Sequence, residues 1–393
     1  MVEGGGAGVD WGELASNACF TDRIREHSIS MRSMRAIDFF CGTGGFSRGA
    51  HSAGFDVVAA FDKDPILTSS FESNFPDTKL VLTDIGKLSG PEVRKVVGDE
   101  EIDLIFGGPP CQGFSSIGRR DKNDPRRKLL QSFFQLVADL TPRAFVMENV
   151  LGLGFKDAAP ELDLALARLP KSYKTIGPIV LDAADFGSAT KRKRLFLIGY
   201  DSNRCDPIVI DDLLSHQRPA ATVADALSGL DSICAKSVSK DGFDSFSLRK
   251  NAALSNYASS LASADRKSTG DMRTVHTQAV IERFRTVKPG ETDKIGRHPR
   301  LMQEGQCPTL RAGTGADMGS YQSVRPIHPI EDRVITVREA ARLQGFPDRH
   351  LFHPTIWHSF RMIGNSVSPI IAEAVLSVVA AKLASNLETR KAA

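Results

Sequence analysis

The sequence predicts an α/β fold: a parallel sheet with helices on both faces, joined to a second, irregular domain. Three observations predict it. Short apolar runs recur at Ala36–Phe40, Val57–Phe61, Ile102–Phe106, Ala144–Met147 and Arg194–Gly199, with helix-like segments between them. Short runs without alternation, buried on both faces, belong to parallel sheets. Polar or Gly-rich clusters follow the runs ending at Phe40, Phe61, Phe106 and Met147. Ligands bind beyond the carboxyl ends of such strands, so four loops are expected to converge on one crevice. The character then changes after about Tyr200. Ser, Ala, Asp and Gly dominate Ser232–Asp271, Arg and Lys mix with Gly and Pro turns over Thr274–Arg325, and periodicity returns at Thr336–Gln344 and Ile370–Leu387. The expected division is a lead-in over 1–33, the sheet domain over 34–200, the irregular domain over 201–333 and a C-terminal return to the first domain over 334–393.

The 393 residues, 41% of them hydrophobic, suffice for two structural units. A formal net charge of +3 excludes a polycation, so any nucleic-acid contact must rest on local basic patches. Cys19, Cys41, Cys111, Cys205, Cys234 and Cys307 are scattered, with no Cys-x-x-Cys pair. That argues against a disulfide framework or zinc site; no metal is expected, and a reducing cytoplasm is the expected compartment. No stretch reads as apolar for long enough to span a bilayer. Met1–Ser16 is Gly-rich and acidic and lacks the features of a signal peptide.

Asp38-Phe39-Phe40-Cys41-Gly42-Thr43-Gly44-Gly45-Phe46 leaves a strand and should open a helix, where backbone can approach an anionic ligand. A plain strand-to-helix turn explains it nearly as well, and its spacing is off the dinucleotide pattern. Asp84 is equally plausible as a helix cap. Gly107-Gly108-Pro109-Pro110-Cys111-Gln112-Gly113-Phe114-Ser115 fixes an exposed turn beyond a buried strand. A thiolate there is a soft nucleophile, and Arg119, Arg120, Lys122, Arg126, Arg127 and Lys128 supply electropositive surroundings. Glu148, in Met147-Glu148-Asn149-Val150, could cap a helix or pair with a cation. Arg192 and Arg194, by strand alternation, share one face.

Taken in order, these segments resemble the DNA cytosine-5 methyltransferases of prokaryotic restriction-modification systems, from about Arg35 to about Leu387. The resemblance implies a Rossmann-like sheet that uses S-adenosylmethionine, with a target recognition domain inserted between Tyr200 and Val334. It implies that Cys111 adds to C6 of a flipped cytosine, that Glu148 contacts N3 and the exocyclic amine, and that Arg192 and Arg194 position base and acid. The implied cofactor set is Phe40, Gly42, Thr43, Gly44, Gly45, Phe61, Asp62, Asp84, Ile85, Pro110, Leu129, Asn365, Ser366 and Val367. Aligning Phe61-Asp62-Lys63 with the family's aromatic-Asp-Lys run puts Ala60 where a ribose-binding carboxylate is usual; either Asp62 takes part of that role or the ribose is held differently. Ala189 and Thr190 stand where the family has Pro and Gln. Val337–Asp348 resembles the segment that braces the recognition domain. Gly364-Asn365-Ser366-Val367, which by itself reads as a turn plus N-cap, resembles the element that completes the cofactor pocket.

Cys307-Pro308-Thr309-Leu310 resembles the family's Thr-Leu landmark. The DNA-contacting candidates are Gln112, Ser115, Arg126, Thr309 and Arg311, with the basic stretch Arg283–Arg300 nearby. The expected partner is double-stranded DNA, with a cognate restriction endonuclease acting on the same site, no membrane, and a monomeric protein. Two alternatives are weighed. A tRNA cytosine-5 methyltransferase would carry a short variable region with Cys-Phe-Thr, which this chain lacks. A non-catalytic homologue would lack the Pro-Cys dipeptide, which this chain keeps.

Overall fold

The computed structural model describes residues 33–110, 127–154, 159–238, 242–312 and 324–392; the expected lead-in thus lies almost wholly outside the described residues. The first half builds β1 (Met34–Phe39), α1 (Gly45–Ser52), β2 (Phe55–Asp62), the short α2 (Phe71–Asn74), β3 (Lys79–Leu82), α3 (Gly90–Val97) and β4 (Leu104–Gly107). It continues with α4 (Arg127–Leu140), β5 (Ala144–Asn149), α5 (Ala159–Leu166), β6 (Tyr173–Asp182) and β7 (Lys193–Asp201). The second half holds α6 (Ile210–Leu214), α7 (Val223–Leu227), β8 (Ile233–Val238), β9 (Asp244–Leu248), α8 (Asn256–Leu261), β10 (Lys267–Ser268) and α9 (Gln278–Arg285). It ends in α10 (Val337–Gln344), α11 (Ile356–Asn365) and α12 (Pro369–Ala392).

Seven strands form the main sheet in the order β3-β2-β1-β4-β5-β7-β6. The pairs β1–β2, β2–β3, β1–β4 and β4–β5 are parallel. Strand order reverses between β1 and β4, the switch point where such sheets open a crevice. Alternation along β1 serves two cores. Ala36 joins Phe46, Ala50, Phe106, Val375 and Val379 under α1 and α12, whereas Ile37 and Phe39 join Val93, Phe133, Phe145 and Leu162 under α3, α4 and α5.

Three expectations need correction. The run at Arg194–Gly199 is β7, and it lies antiparallel to both β5 and β6. Its link from β6 contains one short helical turn, Ala183–Asp185, which is too little chain for the crossover that a parallel step requires. The irregular region contains a small antiparallel sheet, β10-β9-β8, whose strands are too short to show in the sequence pattern. Finally, Ile356–Asn386 is long and apolar enough, by length and composition, to cross a membrane. It is a core element instead: 67% of its most apolar window is buried. In α12, Ala372 packs so closely on α1 that a Cβ at Gly49 would lie 2.4 Å from the alanine methyl.

α10 covers the stretch where periodicity returns. Thr336 and Glu339 make a capping box, and Gly345 ends the helix at φ 93°. The helix is buried throughout, including two arginines. Arg342 grips Asp348 with Nε and Nη2, both at 2.7 Å, and donates through Nη1 to the carbonyls of Ser228 and Ala226. Arg338 donates to Thr269, Pro347 and His350. Two guanidinium groups therefore stitch the segments around 226–228 and 269 to the turn that follows α10.

Candidate active site

A cavity of about 500 Å³ opens at the carboxyl ends of the parallel strands. After β1 it is walled by Phe40, Gly42, Thr43 and Gly45, after β2 by Asp62, and after β3 by Asp84 and Ile85. Pro109 and Pro110 follow β4, Glu148 and Asn149 end β5, Arg192 immediately precedes β7 and Arg194 lies at its start. Leu129 of α4 and Asn365, Ser366 and Val367 close it. The four loops expected to converge do so.

Two residues singled out in the sequence lie elsewhere. Phe61 is fully buried, its ring 5.1 Å from that of Phe39. Gly44, at φ 85°, backs onto Phe75: a Cβ there would come 2.2 Å from the ring, so glycine lets the turn press against the wall. Ala60 is buried among Cys41, Phe71 and Phe75. The carboxylate at the end of β2 is Asp62, which does line the cavity. One oxygen accepts from Gly42 N at 2.9 Å and the other from Asp64 N at 2.9 Å, which ties the Gly-rich turn to β2. Burial raises its pKa, against those backbone donors. Asp84 both caps a short helical turn, accepting from Gly86 N at 3.0 Å, and faces the cavity. Asn365 ends α11 and Ser366 is its C-cap, so this tetrapeptide is a helix end, where a turn plus N-cap was the plain reading.

Glu148 sits on β5 with Arg194 Nε 3.0 Å from its Oε1. Burial pushes the carboxyl above its ordinary range, and Arg194 and Arg192 pull it back. Arg192 is almost fully buried. It donates to the carbonyls of Leu310 at 3.3 Å and Gly364 at 3.0 Å, while its Nε has no hydrogen-bond partner. Burial, reinforced by Arg194, holds its pKa well below the usual guanidinium value. Beside them, Asn149 Nδ2 donates to Pro109 O at 3.2 Å, fixing the start of the Pro-Pro turn against β5. Cys111, Gln112, Ser115 and Arg126 lie outside the described residues. The buried thiol of Cys41 also faces the cavity, but burial and then Asp38 and Asp62 push its pKa well up, opposing thiolate formation.

Thr190 is buried and donates to Cys307 O at 3.1 Å. Lys191 N donates to the same carbonyl, and Cys307 N to Ala189 O. Thr309 Oγ1 donates to Lys191 O at 2.6 Å. The segment where Pro and Gln were expected thus forms a seam with the Thr-Leu landmark. Arg311, just beyond, is exposed. Within the basic stretch, Arg283 pairs with Asp293, and Arg285 and Arg300 both pair with Asp332, whereas Arg297 and Lys294 are exposed. Sequence reading missed Arg361, which lines the cavity and reaches Asp64 at 3.3 Å. Its place four residues before Asn365 on α11, hence on the same face, was the available signal.

A family model for C-5 cytosine-specific DNA methylase matches residues 34–381. The chain belongs to that family. Among relatives of this methylase, Type II methyltransferase M.XorII of Xanthomonas oryzae is 37% identical, over 86% of this chain and 82% of its own. Type II methyltransferase M.DdeI of Desulfomicrobium norvegicum is 30% identical, over 87% of each. A solved protein assigned as a DNA modification methyltransferase, encoded within an E. coli prophage, superposes with a TM-score of 0.78 at 37% identity, covering 90% of the methylase and all of that chain. The S. pombe Dnmt2 methyltransferase, at 20% identity and a TM-score of 0.59 over 88% of this chain and 98% of its own, shares the fold.

Proposed function

We propose that this DNA cytosine-5 methylase transfers the methyl group of S-adenosylmethionine to a flipped-out cytosine in a specific duplex sequence, through a covalent Cys111–C6 adduct. The observation that carries the reading is the continuity of one cavity from the Gly-rich turn to the Glu148–Arg194 pair, with the Pro109–Pro110 turn between. The donor set fits the cofactor. Space stands open where a Cβ at Gly42 would sit, with nothing within 4 Å. The Asp62 carboxylate suits ribose hydroxyls, Phe40, Ile85 and Leu129 offer apolar flanks for a flat base, and Asp84 suits its amino group. Bound there, S-adenosylmethionine supplies an electrophilic methyl group on a sulfonium.

The remaining chemistry belongs to the chain. The Cys111 thiolate adds to C6 of cytosine while Glu148 delivers a proton to N3, so C5 gains enamine character. After methylation the C5 proton passes to a solvent base, which re-forms the C5–C6 double bond and expels the thiolate, and the N3 proton returns to Glu148. The raised pKa of Glu148 keeps its proton available, and Arg194 holds the carboxyl in place. The target base must leave the stack to reach this cavity. In this reading residues 201–333 carry target recognition, Gln112, Ser115, Arg126, Thr309 and Arg311 contact DNA, and the protein acts as a cytoplasmic monomer. A cognate restriction endonuclease reads the same sequence without a stable complex.

Bisulfite sequencing of DNA and tRNA, from a host that lacks its own cytosine-5 DNA methylation and expresses this chain, tests the reading. Methylcytosine in one recurrent DNA context, lost in Cys111→Ser, is the expected result. Methylation confined to tRNA, or unimpaired methylation by Cys111→Ser, overturns it.

A further inference from the structure

We propose that His350 is a positioning residue for the cofactor turn: its imidazole grips Thr43 from behind and sets the backbone that faces the cavity. The inference rests on reading that cavity as the S-adenosylmethionine site.

The turn needs an outside support. Phe40, Gly42 and Gly44 all lie at positive φ, at 67°, 49° and 85°, and the two glycines are free to adopt other shapes. Thr43 stands between the glycines, is buried, and lines the cavity. Its Oγ1 lies 3.2 Å from Nε2 of His350, a residue 307 positions away in the turn after α10. That nitrogen is held from a second side by Asn74 Nδ2 at 3.3 Å. Asn74 is itself fixed, because its amide exchanges two 2.8 Å bonds with the backbone of Leu351.

Packing alone gives no reason for an imidazole here. The ring is 1% exposed and wedged among Phe346, Phe352 and Phe75, with centroids 4.6, 4.9 and 6.1 Å away. Its Nδ1 is buried without a hydrogen-bond partner. A phenyl ring would fill the same hole and leave no polar atom stranded. What the histidine offers over phenylalanine is the Nε2 contact to Thr43 and Asn74. Burial, then Arg48 and Arg338, push its pKa well below the ordinary value, against a hydrogen bond to the Thr43 backbone. The anchor is rigid as well, since Arg338 donates to His350 O at 2.7 Å and to Thr269. Thr43 is therefore tied to the same α10 brace that grips the second half of the chain.

The experiment uses the full chain, with S-adenosylhomocysteine as probe in calorimetry, thermal melting alongside, and steady-state kinetics in S-adenosylmethionine. His350→Phe is expected to melt at or above the wild-type temperature yet bind the probe about five- to tenfold more weakly. KM for S-adenosylmethionine should rise by a similar factor while kcat changes less than about twofold. His350→Gln, which can set an amide near the Nε2 position, should recover most of the affinity. Thr43→Val should match the loss, and the Thr43→Val/His350→Phe double variant should be no weaker than either single one. Wild-type affinity in His350→Phe, an equal loss in His350→Gln, or additive losses in the double variant overturn the proposal. If His350→Phe does not fold, unchanged affinity in Thr43→Val does the same. A wild-type protein that binds no probe fails the cofactor reading instead, so the two failures are distinguishable.

Discussion

Two arginine–carboxylate clusters in this methylase share residue types and differ in physics. In the α10 brace, Arg342 uses Nε, Nη1 and Nη2 on Asp348 and on the carbonyls of Ser228 and Ala226, and both members of the ion pair are fully buried. In the cavity, one carboxylate, Glu148, faces two guanidinium groups, and Arg192 keeps a buried Nε without a partner. A saturated arginine holds a structure together, because its donors are spent on the protein. Two guanidinium groups on one carboxylate leave an excess of positive charge at the wall of a cavity.

The largest effect that sharpens this comparison is on rate. Glu148→Gln keeps the size of the side chain and an acceptor for Arg194 but cannot donate a carboxyl proton. Turnover should fall by roughly 10²- to 10⁴-fold, with thermal melting little changed. Single-turnover methylation and a melting curve on the same preparation read both halves; a full-rate Glu148→Gln breaks the assignment. Next comes stability. Arg342→Met strands the Asp348 carboxylate in the interior and should lower unfolding free energy by about 3–5 kcal/mol. Its folded fraction should still methylate at the wild-type rate. Adding Asp348→Leu removes the stranded charge and should recover much of that loss in urea denaturation. A variant that loses rate but no stability places the brace among the catalytic elements and erases the contrast.

The elements that could be read from sequence are those whose physics is local. Strands buried on both faces leave apolar runs, and the glycines and prolines after β1 and β4 mark backbone that only certain residues tolerate. Gly345 ends α10 for the same reason. What stayed hidden is non-local. An apolar run carries no sign of direction, so β7 could not be told from a parallel strand. Whether Ala60 or Asp62 meets the cavity depends on where β2 ends, and Phe61 at such an end could face either way. The two residues of β10 are too few to show a period. The contacts Arg361–Asp64 and His350–Thr43 join segments about three hundred positions apart, and no spacing rule spans that distance.

The smallest effect tests the electrostatics of the cavity pair. Burial raises the Glu148 pKa, and the positive charges of Arg194 and Arg192 oppose that rise. Arg194→Gln removes one of those charges, so the pKa must climb further. With Glu148 as the proton donor proposed above, the rate depends on its protonated form and falls as pH rises through its pKa. The alkaline limb of the kcat/KM profile should therefore move to higher pH in Arg194→Gln, with a loss of about tenfold at the optimum from the missing charge-assisted hydrogen bond. Arg194→Lys retains the charge and should leave the limb near its wild-type position, even if the rate drops for want of Nε geometry. An alkaline limb that stays fixed in Arg194→Gln, or moves equally in Arg194→Lys, would mean that Glu148 is not the titrating acid. The cavity arginines would then be, like those of the brace, purely structural.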